Sequence, residues 1–286
     1  MRPAALSYVR AETMQDLDAL LQRDGTTLMA GGQGLMRDLR NRSLHVGTLV
    51  DVSRLAELAY VTEDDGVLEV GAVTTLAAVA ADPQVAARCP ALAQAASRVA
   101  DVQVRNRGTV GGNVCGSWLP TNYSNDIGVA LAASGGELVV RSGDRQQLMS
   151  AATFFASEDN PLARGEFIRA LRFPLAAGSA YLRLSHQWAD AGMGSAAAFV
   201  DRRDGAMRLG LAVGRIGRRP LVLDEVARAI EADGLDAPSV SEAIAATLDS
   251  TPVIGNVHAD EAYRRRMVPV LVRRAVEQAL ISGGLK

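Results

Sequence analysis

The chain has 286 residues, of which 48% are hydrophobic and 22% are charged. Such a composition is ordinary for a globular protein, and the length leaves room for roughly two or three compact units. The formal net charge of −2 argues against a nucleic-acid binder, which normally carries a basic surplus. No apolar run approaches the ~20 residues of a membrane helix, and residues 1–7 lack the apolar core of a secretory signal. We therefore expect a cytoplasmic protein that does not insert into membranes.

The first 174 residues are predicted to alternate short helices and strands. Apolar periodicity predicts helices over residues 13–23, 91–100 and 126–133. Buried or alternating runs predict strands over residues 27–30, 45–52, 67–72, 137–141 and 166–173. Thr74 or Thr75 is the candidate N-cap of a helix after the third of these strands. Pro174 marks a domain boundary.

Beyond Pro174 the pattern changes to strands followed by helices. Antiparallel strands are predicted over residues 179–184, 195–200, 207–213 and 220–223, with a hairpin at Asp204-Gly205. Helices are predicted over residues 224–232, 240–248 and 260–282. Pro269 lies inside the last helix and is expected to kink or divide it. This order predicts an α+β domain with helices on one face of a sheet.

Two glycine-rich segments are the most informative features of the sequence. Residues 105–113 read Arg-Asn-Arg-Gly-Thr-Val-Gly-Gly-Asn, and residues 30–34 read Ala-Gly-Gly-Gln-Gly after a predicted strand. Glycine allows a positive φ and has no Cβ, so successive amide groups can converge on an anion. Either segment alone could be a tight turn between buried elements. Together they predict the two sides of a phosphate-bearing cofactor site.

The common nucleotide motifs are absent from both segments. A P-loop needs Gly-Lys-Ser/Thr, but Lys286 is the only lysine in the chain. The dinucleotide fingerprint needs a third glycine where Arg37 stands. Only two cysteines are present, Cys89 and Cys115, so a four-cysteine iron–sulfur cluster or zinc site cannot form. Redox chemistry would therefore come from a bound cofactor, and no catalytic or metal-ligating residue is predicted.

The two glycine segments resemble the signatures of the flavoprotein subunit of the molybdenum hydroxylases, the xanthine dehydrogenase and carbon monoxide dehydrogenase family. That subunit carries an Ala-Gly-Gly turn near residue 30 and an Arg-Asn-x-Gly-Thr-x-Gly-Gly-Asn segment near residue 110, and both stand here at suitable positions. The resemblance implies a two-subdomain FAD-binding fold of the PCMH/VAO type followed by a C-terminal α+β domain. The implied boundaries are residues 1–57, 58–174 and 175–286. A branch of this family carries an extra iron–sulfur cluster on this subunit, for which the chain lacks ligands.

The resemblance also implies which residues bind FAD. The predicted contacts are Met29, Ala30, Gly31, Gly32, Gln33, Gly34, Leu35, Met36, Thr109, Gly111, Gly112, Asn113, Cys115, Asp126, Ile168 and Arg183. The first glycine segment would wrap the diphosphate through its amides, and the second would face the diphosphate or ribityl chain from the other side. Family precedent adds Val99, whose aliphatic side chain could only pack.

Several of these assignments keep a structural alternative. Asp126 is also a suitable helix N-cap, and the loop before it is longer than in the family, so Ser124 or Asn125 could take its contact. For Arg183, and likewise for Asp190, the alternative is a salt bridge at the domain junction. Cys115 is placed beside the flavin by the resemblance, but it could equally be a buried thiol acting as a small hydrophobe.

The long loop over residues 115–125 is the candidate partner surface. It contains Trp118, Leu119, Pro120 and Tyr123. Exposed apolar and aromatic side chains suit an interface core better than a free surface. Trp118 and Tyr123 are therefore expected to cover the flavin or to face a partner subunit.

The resemblance implies an oxidoreductase subunit that performs no hydroxylation itself. It would pass electrons from the [2Fe–2S] clusters of a small subunit through FAD to an external acceptor. A large subunit with the molybdenum cofactor would oxidise the substrate, and the complex would be a dimer of heterotrimers. The alternatives are a stand-alone FAD-dependent reductase of the same fold and a redox-assembly module without flavin.

The isolated chain is predicted to contain about one FAD and no iron of its own, because it has two glycine segments and only two cysteines. Flavin absorbance and a metal assay on the purified chain measure both quantities. Stoichiometric iron would contradict this prediction.

Overall fold

The structure, a computed structural model, describes residues 4–120, 126–187, 192–203 and 205–285. Its strands form sheets of three, five and four strands in the described residues. Among these residues, no helix is both long enough and apolar enough to cross a lipid bilayer.

The first sheet is parallel and has the order β1-β3-β2. Its elements along the chain are β1 (Ser7–Arg10), α1 (Met14–Leu21), β2 (Thr26–Met29), α2 (Gln33–Asn41) and β3 (Thr48–Asp51). Thr13 begins α1 with a capping box, in which its Oγ accepts the Asp16 amide at 3.1 Å and its own amide donates to Asp16 at 3.0 Å. The predicted helix and both predicted strands are confirmed, whereas β1 and α2 were not predicted.

The second sheet is antiparallel and has the order β4-β5-β8-β6-β7. Its strands are β4 (Val61–Asp64), β5 (Val67–Gly71), β6 (Glu137–Ser142), β7 (Arg145–Ser150) and β8 (Phe167–Pro174). The helices of this part are α3 (Leu76–Ala81), α4 (Pro83–Arg88), α5 (Pro90–Arg98), α6 (Val102–Arg105), α7 (Val110–Cys115), α8 (Asp126–Ala133) and α9 (Ala151–Ala156). Thr75, and not Thr74, caps α3.

The third sheet is antiparallel and has the order β12-β11-β10-β9. Its elements are β9 (Gly178–Leu184), β10 (Gly194–Arg203), β11 (Ala206–Gly214), β12 (Leu221–Val222), α10 (Asp224–Asp233), α11 (Pro238–Asp249) and α12 (Glu261–Ser282). Strands β10 and β11 pair as predicted, although Asp204 of the predicted hairpin lies outside the described residues. Helix α12 runs through Pro269 as one element, so the proline does not divide it, and the predicted kink stays a prediction.

The third sheet is covered on both faces, and not on the one face expected from the sequence. Ala196, Ala198 and Val200 of β10 pack into the core that contains α12, while Ala197 and Phe199 pack into the core that contains α5 and α8. Side chains alternate across a strand, so β10 is buried on both sides. Its small residues let the helices approach closely. The C-terminal part therefore shares a continuous apolar interface with the part before it.

Candidate cofactor-binding site

A cavity of about 900 Å³ lies where the three sheets meet. This volume is at the upper end of the range typical of small-molecule and cofactor pockets. Every predicted site residue except Met36 lines the cavity. Its other lining residues include Val99, Ala100, Trp118 and Arg215. The fold therefore brings the predicted segments together in one cavity, and the contact of each residue with a cofactor stays a prediction.

The first glycine segment joins β2 to α2 at one wall of the cavity. Gly32 is the N-cap of α2 with a left-handed φ of 71°, and it makes no side-chain capping bond. The first amides of a helix have no partner within the helix. The amides of Gln33, Gly34 and Leu35 lie in the first turn of α2, where the helix dipole also favours an anion. This turn is suited to hold a diphosphate.

Met36 lies behind this turn and not in the cavity wall. Its amide already donates to the Gly32 carbonyl at 2.9 Å. Its Cγ lies 3.4 Å from the position that a Cβ on Gly32 would take, and its side chain packs with Leu35 and Leu39. The structure thus favours a supporting role for Met36 over the predicted direct contact.

The second glycine segment is a helix start, not an extended turn. Thr109 is the N-cap of α7, and Gly111 and Gly112 lie within that helix with no positive φ. The Gly111 amide donates to Ala72 O at 2.9 Å and the Gly112 amide to Thr109 Oγ at 3.2 Å. The expectation that these amides converge on an anion is therefore wrong. Their surface lines the cavity, but the free amide donors belong to the first segment.

The glycine segments also contact each other directly. A Cβ on Gly31 would overlap the carbonyl oxygen of Arg107, and a Cβ on Gly111 would lie 2.8 Å from the Cβ of Ala72. At both positions the missing side chain allows the chain to pack against itself. Gly112 differs, because a Cβ there would meet only Thr109 Oγ, at 2.9 Å.

Asp126 is the buried centre of an ionic cluster at the domain junction. Its carboxylate accepts hydrogen bonds from the Tyr181 hydroxyl and from Arg215 Nη2, the latter at 2.8 Å. Arg183 Nη1 lies 3.6 Å from the same carboxylate and also donates to the Arg98 carbonyl at the end of α5. Asp126 is 1% exposed. The salt-bridge alternative considered for Arg183 is therefore present.

Burial and charge act in opposite directions on the residues of this cluster. Burial disfavours the charged guanidinium of Arg215, but the attraction of the Asp126 carboxylate outweighs burial, so the pKa of Arg215 is raised. At Arg183 the effect of burial is larger than the attraction of the Asp126 carboxylate, so the pKa of Arg183 is lowered. Burial and the same carboxylate raise the pKa of Tyr181, which therefore stays a hydroxyl donor.

Arg215 and Tyr181 were not found from the sequence. Arg215 stands between Gly214 and Ile216 directly after a buried strand, with an unusual φ of 65°. A charged residue after an apolar strand was the available signal, but its partner is 89 positions away.

Asn113 and Cys115 of α7 both line the cavity. Asn113 Oδ1 accepts the Ile127 amide at 3.1 Å, so this side chain also ties α7 to the start of α8. Burial raises the pKa of the Cys115 thiol to about 12, so it stays protonated at neutral pH. Within the described residues, no group of three or more histidine, cysteine or acidic side chains could hold a metal ion.

The loop predicted as a partner surface is largely turned inward where the structure describes it. The Trp118 ring packs on Phe154 at 4.5 Å and stacks on Phe155 at 6.0 Å between ring centroids. Leu119 packs beside α2, and only Pro120 is exposed. Trp118 is therefore not exposed as a partner surface would require, while the alternative that it covers the flavin stays a prediction, since Trp118 lines the cavity. Tyr123, Ser124, Asn125 and Asp190 lie outside the described residues.

Comparisons with known proteins agree over the whole chain. The family model of the FAD binding domain in molybdopterin dehydrogenase matches residues 4–176, and that of the CO dehydrogenase flavoprotein C-terminal domain matches residues 180–279. The chain is 25% identical to the carbon monoxide dehydrogenase medium chain of Afipia carboxidovorans, with 98% of each covered. It is 27% identical to the glyceraldehyde dehydrogenase medium chain of Sulfolobus acidocaldarius, over 97% of this chain and 99% of the relative.

A solved structure shares the fold. A chain of carbon monoxide dehydrogenase from Hydrogenophaga pseudoflava superimposes with a TM-score of 0.88 at 25% identity, and 99% of each chain is covered. The α+β fold expected from the sequence, an FAD-binding part followed by an antiparallel sheet with helices, is confirmed.

The two helical glycines should respond differently to the same substitution. Gly112→Val is expected to lower FAD retention at least tenfold, because Gly112 lines the cavity. Its loss of stability is expected to be smaller than that of Gly111→Val, because the added Cβ would displace only the Thr109 side chain. Gly111→Val is expected to cost about 1–3 kcal/mol of folding stability through overpacking against Ala72. FAD content and urea unfolding of the apo-protein measure the two effects. Equal stability losses would contradict this assignment.

Asp126→Asn is expected to destabilise the fold by about 3–5 kcal/mol, because it removes the countercharge of the buried Arg215. The matched control is Asp236→Asn, which breaks the exposed ion pair with Arg273 and should leave the unfolding midpoint nearly unchanged. Urea unfolding of both apo-variants makes the comparison. A loss no larger than that of the control would show that the cluster contributes little.

Proposed function

This chain belongs to the family of FAD-binding subunits of the molybdopterin dehydrogenases, and we propose that it is the electron-transfer subunit of a heteromeric molybdenum hydroxylase. Its cofactor is FAD and its class is that of an oxidoreductase subunit. The proposed path runs from [2Fe–2S] clusters of a small partner subunit through FAD to an external acceptor. A large subunit with the molybdenum cofactor supplies the electrons, and the assembly is a dimer of heterotrimers in the cytoplasm.

The observation that carries this proposal is the uncapped first turn of α2 inside a cavity of about 900 Å³. The turn offers amide donors at a helix N-terminus, which suit the diphosphate of a dinucleotide. The rest of the wall is mainly apolar or glycine, including Gly112, Ile168 and Cys115. This combination of anion donors and apolar wall fits a long ligand with charge at its middle and rings at its ends.

The residues of this chain bind and orient the cofactor and keep water from it. The α2 turn holds the diphosphate, α7 presents a smooth surface beside it, and Ile168 of β8, 6% exposed, closes the apolar side. Bound flavin supplies electron exchange in single steps or in pairs. Asp126 is engaged with arginines and Cys115 stays protonated, so neither provides a general base.

The cavity is formed by all three predicted domains. Gly32 comes from residues 1–57, Thr109 and Ile168 from residues 58–174, and Arg183 and Arg215 from residues 175–286. We keep these boundaries as a proposal, in which FAD binding depends on correct docking of the C-terminal domain.

The relay role is tested in the assembly purified from its native host through a tag on this chain. The expected result is co-recovery of two other polypeptides with FAD, iron and molybdenum in fixed ratios. Recovery of a solitary, catalytically active flavoprotein would instead favour the stand-alone reductase, and a colourless protein would favour the assembly module.

The Gly112→Val assembly separates the steps of the path. It is expected to keep its iron and molybdenum and to lose FAD. Its clusters should still be bleached by dithionite, while electron delivery to the acceptor stops. The wild-type assembly, reduced and measured in the same way, is the control. Undiminished delivery without FAD would overturn the proposed path.

A further inference from the structure

The segment that links α5 to α6 has an unusual backbone. Ala100 has a φ of 43°, in the left-handed region that a Cβ normally disfavours. It follows Val99, the C-cap of α5, at the position where helices commonly end on glycine. Val99 and Ala100 both line the cavity. A strained residue in a cavity wall needs contacts that hold it in place.

Arg105 provides those contacts. Its Nη1 donates to the carbonyl of Val99 at 3.1 Å and to the carbonyl of Ala100 at 2.7 Å. Arg105 is the last residue of α6, so its side chain reaches back along the helix to the segment that precedes it. A planar guanidinium is suited to hold two carbonyls in one fixed arrangement. A positive charge is also favourable at the C-terminal end of α5.

Helix α6 connects this wall to the glycine segments. Val104 lines the cavity beside Val99 and Ala100, and its carbonyl accepts the Gly108 amide at 2.6 Å. The next residues, Arg107 and Gly108, lie against the first glycine segment at Gly31. The position of the wall is therefore linked, through four helical residues, to the turn proposed to hold the diphosphate.

We propose that Arg105 is a positioning residue that holds Val99 and Ala100 as an apolar wall for a planar aromatic ring of FAD. The inference rests on the proposed placement of FAD in this cavity. It assigns a role to the first arginine of the second glycine segment, which makes no predicted cofactor contact itself. The ring is either the adenine or the isoalloxazine.

The test combines Arg105→Gln with Ala100→Gly in the full-length apo-chain. Arg105→Gln is expected to raise the dissociation constant of FAD about tenfold, measured by quenching of flavin fluorescence. Ala100→Gly relieves the strain that Arg105 opposes, because glycine accepts a positive φ. The double variant is therefore expected to recover FAD affinity to within about threefold of wild type. Arg88→Gln, at a surface ion pair with Glu63, is the control and should bind FAD normally.

Two further measurements identify the ring. Weaker competition by ADP in Arg105→Gln would place the adenine at the wall. An altered visible spectrum of bound flavin with unchanged ADP competition would place the isoalloxazine there. Either result would support the proposal that Val99 and Ala100 form a wall for a ring of FAD.

Other outcomes overturn the proposal. If Arg105→Gln lowers the melting temperature but leaves the FAD dissociation constant unchanged, Arg105 is only structural. If the double variant binds FAD as weakly as Arg105→Gln, the arginine does not act through Ala100. Should Arg105→Gln fail to fold, Arg105→Lys takes its place, because lysine keeps the positive charge at the end of α5 without the guanidinium. An FAD dissociation constant of this variant equal to that of wild type would overturn the proposal. Failure of wild type and Arg88→Gln to bind FAD would instead overturn the proposed cofactor site.

Discussion

The countercharge of Asp126 is the constraint on which the arrangement of this molecule depends. A carboxylate that is 1% exposed is stable only when opposite charge and hydrogen-bond donors reach it. Here the hydrogen-bond donors are Tyr181 on β9 and Arg215 after β11, and Arg183 on β9 adds a second positive charge; all three lie in the C-terminal part. The first residue of α8 therefore fixes where the third sheet docks. Because Arg183 and Arg215 also line the cavity, the same cluster completes its wall.

The glycines near the cavity serve two different physical purposes. Gly31 and Gly111 let backbone segments of the protein approach each other, and their side-chain positions are occupied by other parts of the chain. Gly32 begins α2 in a left-handed conformation and leaves the first turn of this helix without a side-chain cap. The proposed anion site thus depends on one helix start. The other glycine segment packs against it at Gly31 and also lines the cavity.

Arginine connects the ends of helices across the cavity region. Arg105, from α6, donates to the carbonyls of Val99 and Ala100 directly after α5, and Arg183, from β9, donates to the Arg98 carbonyl at the end of α5. Arg264, 3% exposed, holds the turn before α12 through Asn256 and the Ala259 carbonyl. In each case the guanidinium donates to backbone or amide oxygens at the end or the start of a helix. The helices that border the site are fixed by directional bonds as well as by apolar packing.

By itself the sequence determined the α+β class, most helices and strands and the two glycine segments, because periodicity and glycine placement are local signals. The cofactor type followed from the resemblance of those glycine segments to a known family. Nearly all of the site residues predicted from the sequence line the cavity, although they make up fewer than half of its lining residues. It could not give the helical state of Gly111 and Gly112, since their amides bond to Ala72 and Thr109 only in the assembled fold. Nor could it place Trp118, whose ring packs on phenylalanines more than thirty positions away. Tertiary structure decided these features, along with the Asp126 cluster and the burial of β10 on both faces, because each depends on contacts between distant segments.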